Sequence, residues 1–342
     1  MIRNKIIIDP HVNVYYASFY IHSLYEKFGK RNVVFKSSPF KELKDRAQNF
    51  NFIISVDGNE TKYSIHFDDP YDIKENLYEW CDVYGNVNAN FDKTPLDYQA
   101  KLISLTPSFG IRVWSFPQTL FFCISNLLKV NTRVDVRKFI GKYRRQFELR
   151  LPLRFYEPFN ESINSFVEKN YIFHLSTLWQ SDEWNKNDEG VNRIRANFIR
   201  ACKSIDNICF EGGLSFKKDS SVLLFQDVLF KSAMSMGEYI EKTKQSILVF
   251  NTPAFWDCHG WKLGEYLALG KAIISTPLSN DLPVPLIHGE NIHYVDNDET
   301  EIKKAVLLIV NDVEYRQKLE NGARAYWEKY GTPLKSLELL GL

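Results

Sequence analysis

The 342-residue sequence has no Gly-x-Gly-x-x-Gly, no Gly-x4-Gly-Lys phosphate loop and no Gly-x-Ser-x-Gly elbow. Those absences argue against a nicotinamide-dependent dehydrogenase, a P-loop nucleotidase and a serine hydrolase. Cysteine is sparse: Cys81, Cys123, Cys202, Cys209 and Cys258 are scattered, with no Cys-x-x-Cys pair. An odd, unpatterned set reads as reduced thiols of a cytoplasmic protein rather than a zinc site or a disulfide framework. Net charge is also lacking, at +1 from 43 basic and 42 acidic residues, which excludes nucleic-acid binding through bulk charge. No run approaches the roughly 20 apolar residues that cross a bilayer. Ile6-Ile7-Ile8 is too short for a signal peptide and reads as a first strand. The sequons at Asn59 and Asn160 carry no weight in that setting.

What is present is ordinary globular material with many rings. Aromatic residues make up 15% of the chain, enough both to fill cores and to offer sugar-facing surfaces. The length suits two domains of about 150 residues each. In the first half, strands are expected at 5–9, 32–36, 50–57 and 81–87, with helices at 14–28 and 116–130. This alternation predicts a parallel, helix-covered sheet. From about residue 171 the strand–helix rhythm is cleaner. Strands are expected at 171–178, 208–211, 246–251, 272–275 and 291–295, and helices at 190–203, 235–244, 261–269, 299–311 and 313–330.

The most informative segment runs from Phe255 to Ser275. Asp257 and Glu265 stand eight positions apart around a turn containing Gly260, and a helix ending at Gly270 leads into an apolar strand. A helix N-terminus at a sheet edge offers free backbone N–H groups to a phosphate. An ionised carboxylate accepts only, so a flanking Asp or Glu suits the hydroxyls of a ribose or a sugar. Lys262 opposes the helix dipole at this end, so a bound anion explains it better than helix stability does. Ser176 and Thr177 end a strand and offer hydroxyl donors. In the helix that follows, Arg193 and Arg195 point in nearly opposite directions, so one of the two is expected to face the site, where a guanidinium fork matches phosphate oxygens.

The second half resembles the donor-binding half of a two-Rossmann (GT-B) glycosyltransferase, most like glycosyltransferase family four (glycosyl transferases group 1) of the bacterial surface-polysaccharide type. The family's Glu-x7-Glu motif is matched by Asp257 and Glu265, followed by Ala268-Leu269-Gly270-Lys271-Ala272-Ile273-Ile274; His288-Gly289-Glu290-Asn291 resembles its Asp-Gly-Glu-Asn-Gly turn, and Arg316, Leu319, Ala323 and Arg324 its closing helix. Two departures stand out: the first acid is Asp257 rather than Glu, and Asp9-Pro10-His11-Val12-Asn13 replaces the Gly-rich loop after the first strand.

The resemblance implies an α/β protein of two Rossmann-like, doubly wound domains facing across a cleft: 1–165 on the acceptor side, 166–330 binding the donor, and a tail at 331–342. It implies transfer of a sugar from a nucleoside diphosphate sugar to a hydroxyl of a glycan or lipid-linked acceptor, with retention and without metal or cofactor. Glu265 would hold the ribose, and Asp257 and His11 would stand at the reacting face. Ser176, Thr177, Arg193 or Arg195, His259, Lys262 and the amides of Gly260, Trp261 and Leu263 would hold the diphosphate. A nucleotide-sugar epimerase of the same fold and a catalytically silent sugar-nucleotide or glycan binder are the alternatives. Residue by residue, bland readings stand beside these: a solvent-exposed carboxylate favoured by the helix dipole for Glu265, and a helix cap for Asp257.

Residues 129–154 carry nine Lys or Arg against Asp135 and Glu148. Such a stretch is either a solvated helix face or a patch that docks peripherally on anionic lipid at the inner membrane face, or on a lipid-linked pyrophosphate.

Overall fold

The computed structural model describes residues 5–44, 46–130, 134–158, 170–179, 188–216 and 223–342. The sequon at Asn160, Arg133 and the boundary expected at 165/166 lie outside the described residues. The chain forms two compact units, one from Met1–Arg154, Asn280–Pro285 and Lys329–Leu342, the other from Phe155–Ser279 and Leu286–Glu328.

The first unit contains β1 (Lys5–Ile8), α1 (Val14–Phe28), β2 (Val33–Phe35), β3 (Asn49–Val56), β4 (Asn59–His66), α2 (Glu75–Trp80), β5 (Val83–Asn86), β6 (Leu102–Ser104), α3 (Phe116–Lys129) and α4 (Val136–Glu148). Its six strands run in the order β2-β1-β3-β4-β5-β6. The sheet is mixed rather than parallel: β3 runs against both β1 and β4, while the other pairings are parallel. The cause is local. Asp57 (φ 51°) and Gly58 (φ 88°) form a two-residue turn between Val56 and Asn59, and two successive positive φ values match the strand twist in a hairpin. Ile7 and Ile53 pack towards Leu77 and Tyr78 of α2. On the opposite face Phe50 stacks against Tyr20 of α1 at 5.9 Å.

The second unit contains β7 (Tyr171–Thr177), α5 (Asp188–Lys203), β8 (Cys209–Ser215), β9 (Leu229–Phe230), α6 (Met236–Gln245), β10 (Val249–Asn251), α7 (Trp261–Ala268), β11 (Ile273–Ser275), β12 (His293–Tyr294), α8 (Glu299–Asn311) and α9 (Val313–Tyr326). Two three-stranded parallel sheets, β7-β8-β9 and β10-β11-β12, meet where β10 lies beside β7. There Ile247 N–H donates to Tyr171 O and Phe173 N–H to Ser246 Oγ, each at 2.9 Å. Read across both, the strands follow β9-β8-β7-β10-β11-β12, the order of a doubly wound Rossmann domain. Its core stacks Phe198 of α5 on Phe250 of β10, centroids 4.4 Å apart and ring planes nearly parallel, among Ile172, Ile274, Val306 and Ile309. Gly212 (φ +120°) is required opposite His174, since a Cβ there would stand 1.9 Å from the His174 carbonyl oxygen. Beyond α9 the chain rejoins the first unit through α10 (Pro333–Leu339), which packs on α1.

Candidate functional site

In a doubly wound sheet, the place where strand order reverses leaves a crevice at the carboxyl ends of the two central strands, and ligands bind there. In the second unit those strands are β7 and β10. Ser176 and Thr177 end β7, Thr252 follows β10, and α7 starts nine residues later.

Two cations converge on this point. Lys262, in the first turn of α7, donates to the Leu175 carbonyl oxygen and, at 3.0 Å, to Ser176 Oγ. Arg195 is 8% exposed; its Nη1 donates to Thr177 O at 3.1 Å and its Nε to Thr252 Oγ1 at 3.3 Å. Burial is the main influence on both. It lowers Lys262 to about 7, helped by repulsion from Arg195 and opposed by Glu265, and it lowers Arg195 to about 10. Neither cation has a salt-bridge partner within 4 Å among the described residues. Two buried basic groups at one strand end with no carboxylate paired to them, Arg195 still protonated at neutral pH and Lys262 poised near it, are a poor device for stability and a good one for an anion.

Glu265, one turn along α7 from Lys262, is only 4% exposed, and Tyr239 OH donates to its Oε2 at 3.4 Å. The exposed-carboxylate reading therefore fails. Asp257 is exposed and does not cap α7, whose N-cap is Gly260 with no side-chain bond. Trp256 (φ 56°) and Asp257 (φ 58°) are both left-handed, a conformation that costs roughly 1–3 kcal/mol per non-glycine residue and collects at functional loops. His259 is buried just before the helix. Of the amides expected to meet a phosphate, that of Leu263 already donates to Gly260 O at 3.1 Å.

Arg193 is exposed, on another face of α5 from Arg195, and does not join the cluster. Arg200 is held by Asp227 at 2.7 Å. Sequence reasoning missed His174, Thr252 and Tyr239. His174 is buried, its Nε2 lies 2.8 Å from Ser176 Oγ, and burial with the nearby Lys262 and Arg195 keeps it neutral. Its place on β7, two residues before Ser176, was the available signal; Tyr239 comes from α6, and no local pattern marks it.

In the first unit, His11 Nδ1 lies 2.9 Å from Asp9 Oδ1, and Arg46 grips Asp9 through Nε (2.7 Å) and Nη2 (2.9 Å). Burial pushes the Asp9 carboxyl up, but the bonds from Arg46 and His11 outweigh it and hold it low. Asn13, another residue of this loop, is the N-cap of α1 and accepts from Tyr15 N–H. Among the described residues, no group of three or more His, Cys, Asp or Glu side chains is placed to hold a metal ion.

No protein-family model and no curated protein matches this sequence. Solved structures similar to the chain include the C-terminal domain of a glycosyl transferase group 1 family protein from Francisella tularensis (11% identity, 52% of this chain and 96% of that one, TM-score 0.37). A UDP-GlcNAc 2-epimerase from Neisseria meningitidis bound to UDP-GlcNAc is similar over 80% of this chain (14% identity, TM-score 0.40), and this chain spans 64% of its length. A glycosyltransferase from Rickettsia africae is similar over 79% of this chain and 66% of its own (9% identity, TM-score 0.42).

Proposed function

We propose that the second unit binds a nucleoside diphosphate sugar and that the protein transfers its sugar to an acceptor hydroxyl. The observation that carries this reading is the pair Lys262 and Arg195 at the β7/β10 switch point, with Glu265 on the same helix face region as Lys262. The diphosphate would replace the carbonyl and hydroxyl oxygens that now satisfy the two cations. His174 supports this: its Nδ1 has no partner among the described residues. A bare acceptor there is less costly than an orphaned N–H, which puts the proton on Nε2, donating to Ser176. With Lys262 also donating to Ser176, the serine's own O–H is left to point at an anion.

In the transfer, the bond from the anomeric carbon to the phosphate oxygen breaks and the diphosphate keeps the electron pair. The acceptor oxygen bonds to that carbon, and its proton passes to the departing phosphate oxygen. Lys262 and Arg195 stabilise the charge that appears on the diphosphate, and such preorganised groups are the usual largest catalytic contribution. No metal is needed for that role, and the resemblance to family four favours retention, with Glu265 on the ribose and Asp257 near the sugar. The test is release of nucleoside diphosphate from UDP-, GDP- and ADP-sugars with and without lipid-linked acceptors. Acceptor-dependent release is expected. Conversion of the donor alone into its 2-epimer would replace transfer by epimerisation, and binding without any turnover would leave a sugar-nucleotide binder.

The same reading places the protein peripherally on the cytoplasmic face of a membrane, facing a lipid-linked glycan. Helix α3 is inside out: Thr119, Cys123 and Asn126 are buried, while Phe116 (63% exposed), Leu120, Phe121, Ile124 and Leu128 (81%) face solvent. On the neighbouring α4, Val136 and Ile140 are exposed beside the exposed Arg137 and Arg144. An apolar face flanked by cations suits an anionic lipid surface, and among the described residues no helix is long and apolar enough to cross a membrane. Flotation with phosphatidylglycerol vesicles should succeed and weaken with salt. Phe116→Ser with Phe121→Ser should lower it at least about tenfold, given roughly 1.5–3 kcal/mol per buried large side chain. Equal flotation of wild type and variant would remove the membrane from the reading.

A further inference from the structure

A second cationic site lies within the first unit and shares no residue with the donor site. A cavity of about 440 Å³ opens between His11 of the loop after β1, residues Lys41, Leu43, Arg46 and Ala47, and the start of α4. Its cations are Lys41, Arg46, Lys138 and Lys142, with His11 beside Arg46. Arg46 is already matched to Asp9, so that pair contributes orientation rather than net charge. The three lysines are opposed among the lining residues only by Asp135, which caps α4 and stands 4.0 Å from Lys138 Nζ. Lys41 and Lys142 have no acidic partner within 4 Å among the described residues. Lys142 is half-buried, and its burial and the nearby Arg145 lower its pKa, so the ammonium sits where water alone solvates it poorly. Leu43, Val134 and Phe139 supply an apolar wall.

Lys41 and Lys138 are exposed, so water screens much of their repulsion, and a multiply charged anion is the ligand that all three ammonium groups can share. Lysine ammonium groups are compact point charges suited to phosphate oxygens. We infer that this cavity binds a phosphate ester or diphosphate, which, resting on the transfer reading, is the anionic group of the acceptor. His11 is one of the residues that line it, held by Asp9 and Arg46. The acceptor is thereby restricted to phosphorylated molecules, with a lipid diphosphate and a soluble sugar phosphate as the two sources of that chemistry.

The test uses the full chain with its second-unit site filled by the preferred nucleoside diphosphate. Inorganic pyrophosphate, farnesyl diphosphate and glucose 1-phosphate are then titrated into wild type and into Lys41→Ala/Lys142→Ala, with circular dichroism confirming the fold. One pyrophosphate per chain is expected, at least tenfold weaker in the double variant, with nucleotide affinity unchanged; Lys41→Arg/Lys142→Arg should restore it. Tighter farnesyl diphosphate points to the lipid source, and tighter glucose 1-phosphate to the soluble one. Pyrophosphate that does not bind, or binds the double variant as well as wild type, overturns the inference. Lysine-dependent pyrophosphate binding in a chain that takes up no nucleotide would keep this site and sink the donor reading instead.

Discussion

Glu265→Gln is expected to leave the chain folded while weakening donor affinity about 10- to 150-fold. The range follows from the roughly 1.5–3 kcal/mol carried by hydrogen bonds to a charged group. Gln keeps the volume of Glu in a buried position, so α7 stays packed, and the amide oxygen can still accept from Tyr239 OH. What is lost is the charge that would take two ribose O–H donors at once. Unfolding near the wild-type temperature, together with the lost affinity, separates a binding role from a structural one. Unchanged affinity would return Glu265 to a structural part of α7.

Removing the ammonium of Lys262 should do more. Lys262→Met is expected to lower turnover by about 10²–10³, the scale seen when one preorganised donor to a developing negative charge is deleted. The pH dependence is sharper still as a test. In the free protein Lys262 titrates at about 7. Diphosphate binding needs the protonated form, so affinity should hold below pH 7 and fall as pH rises through it. Stability runs the other way. The folded value lies below the unfolded 10.5, so the penalty of burying this charge is complete below about pH 7 and disappears as pH rises towards 10.5. Weakening affinity beside rising stability is a signature that Lys262→Met should erase. A wild-type profile flat between pH 6 and 9 would mean that the ammonium does not meet the diphosphate.

Much of the second unit was legible because its elements are short, periodic and locally punctuated. Helix α8 spans 299–311 as its pattern indicates, and Gly270 (φ 60°) ends the helical stretch before β11. The choice between Arg193 and Arg195 was posed by helical geometry but settled only by packing, since both arginines have the same chemistry and only Arg195 meets Thr177 and Thr252. The first unit was less legible. Asp57-Gly58 is a hairpin signal, yet the polar run Asn59 to Lys62 hides the start of β4, and one unread strand turned a mixed sheet into a parallel one. Helix α3 was foreseen, but not that its apolar side faces out, because periodicity shows that a helix has two faces and not which one is covered. The basic stretch around α4 divides in the structure. Arg150 packs on the Tyr15 ring at 4.4 Å, Arg144 pairs with Glu148, and Lys138 and Lys142 line the cavity. A charge run in sequence does not say how its members are shared between surface and pocket.

Calorimetric titration of UDP, GDP, ADP and CMP into the chelator-treated protein tests the donor site most directly. One diphosphate should bind with micromolar affinity, about −8 kcal/mol, and lose most of it in Glu265→Gln and Lys262→Met. Failure of every nucleotide to bind, or equal binding by wild type and both variants, would contradict a nucleotide-sugar site at the β7/β10 switch point.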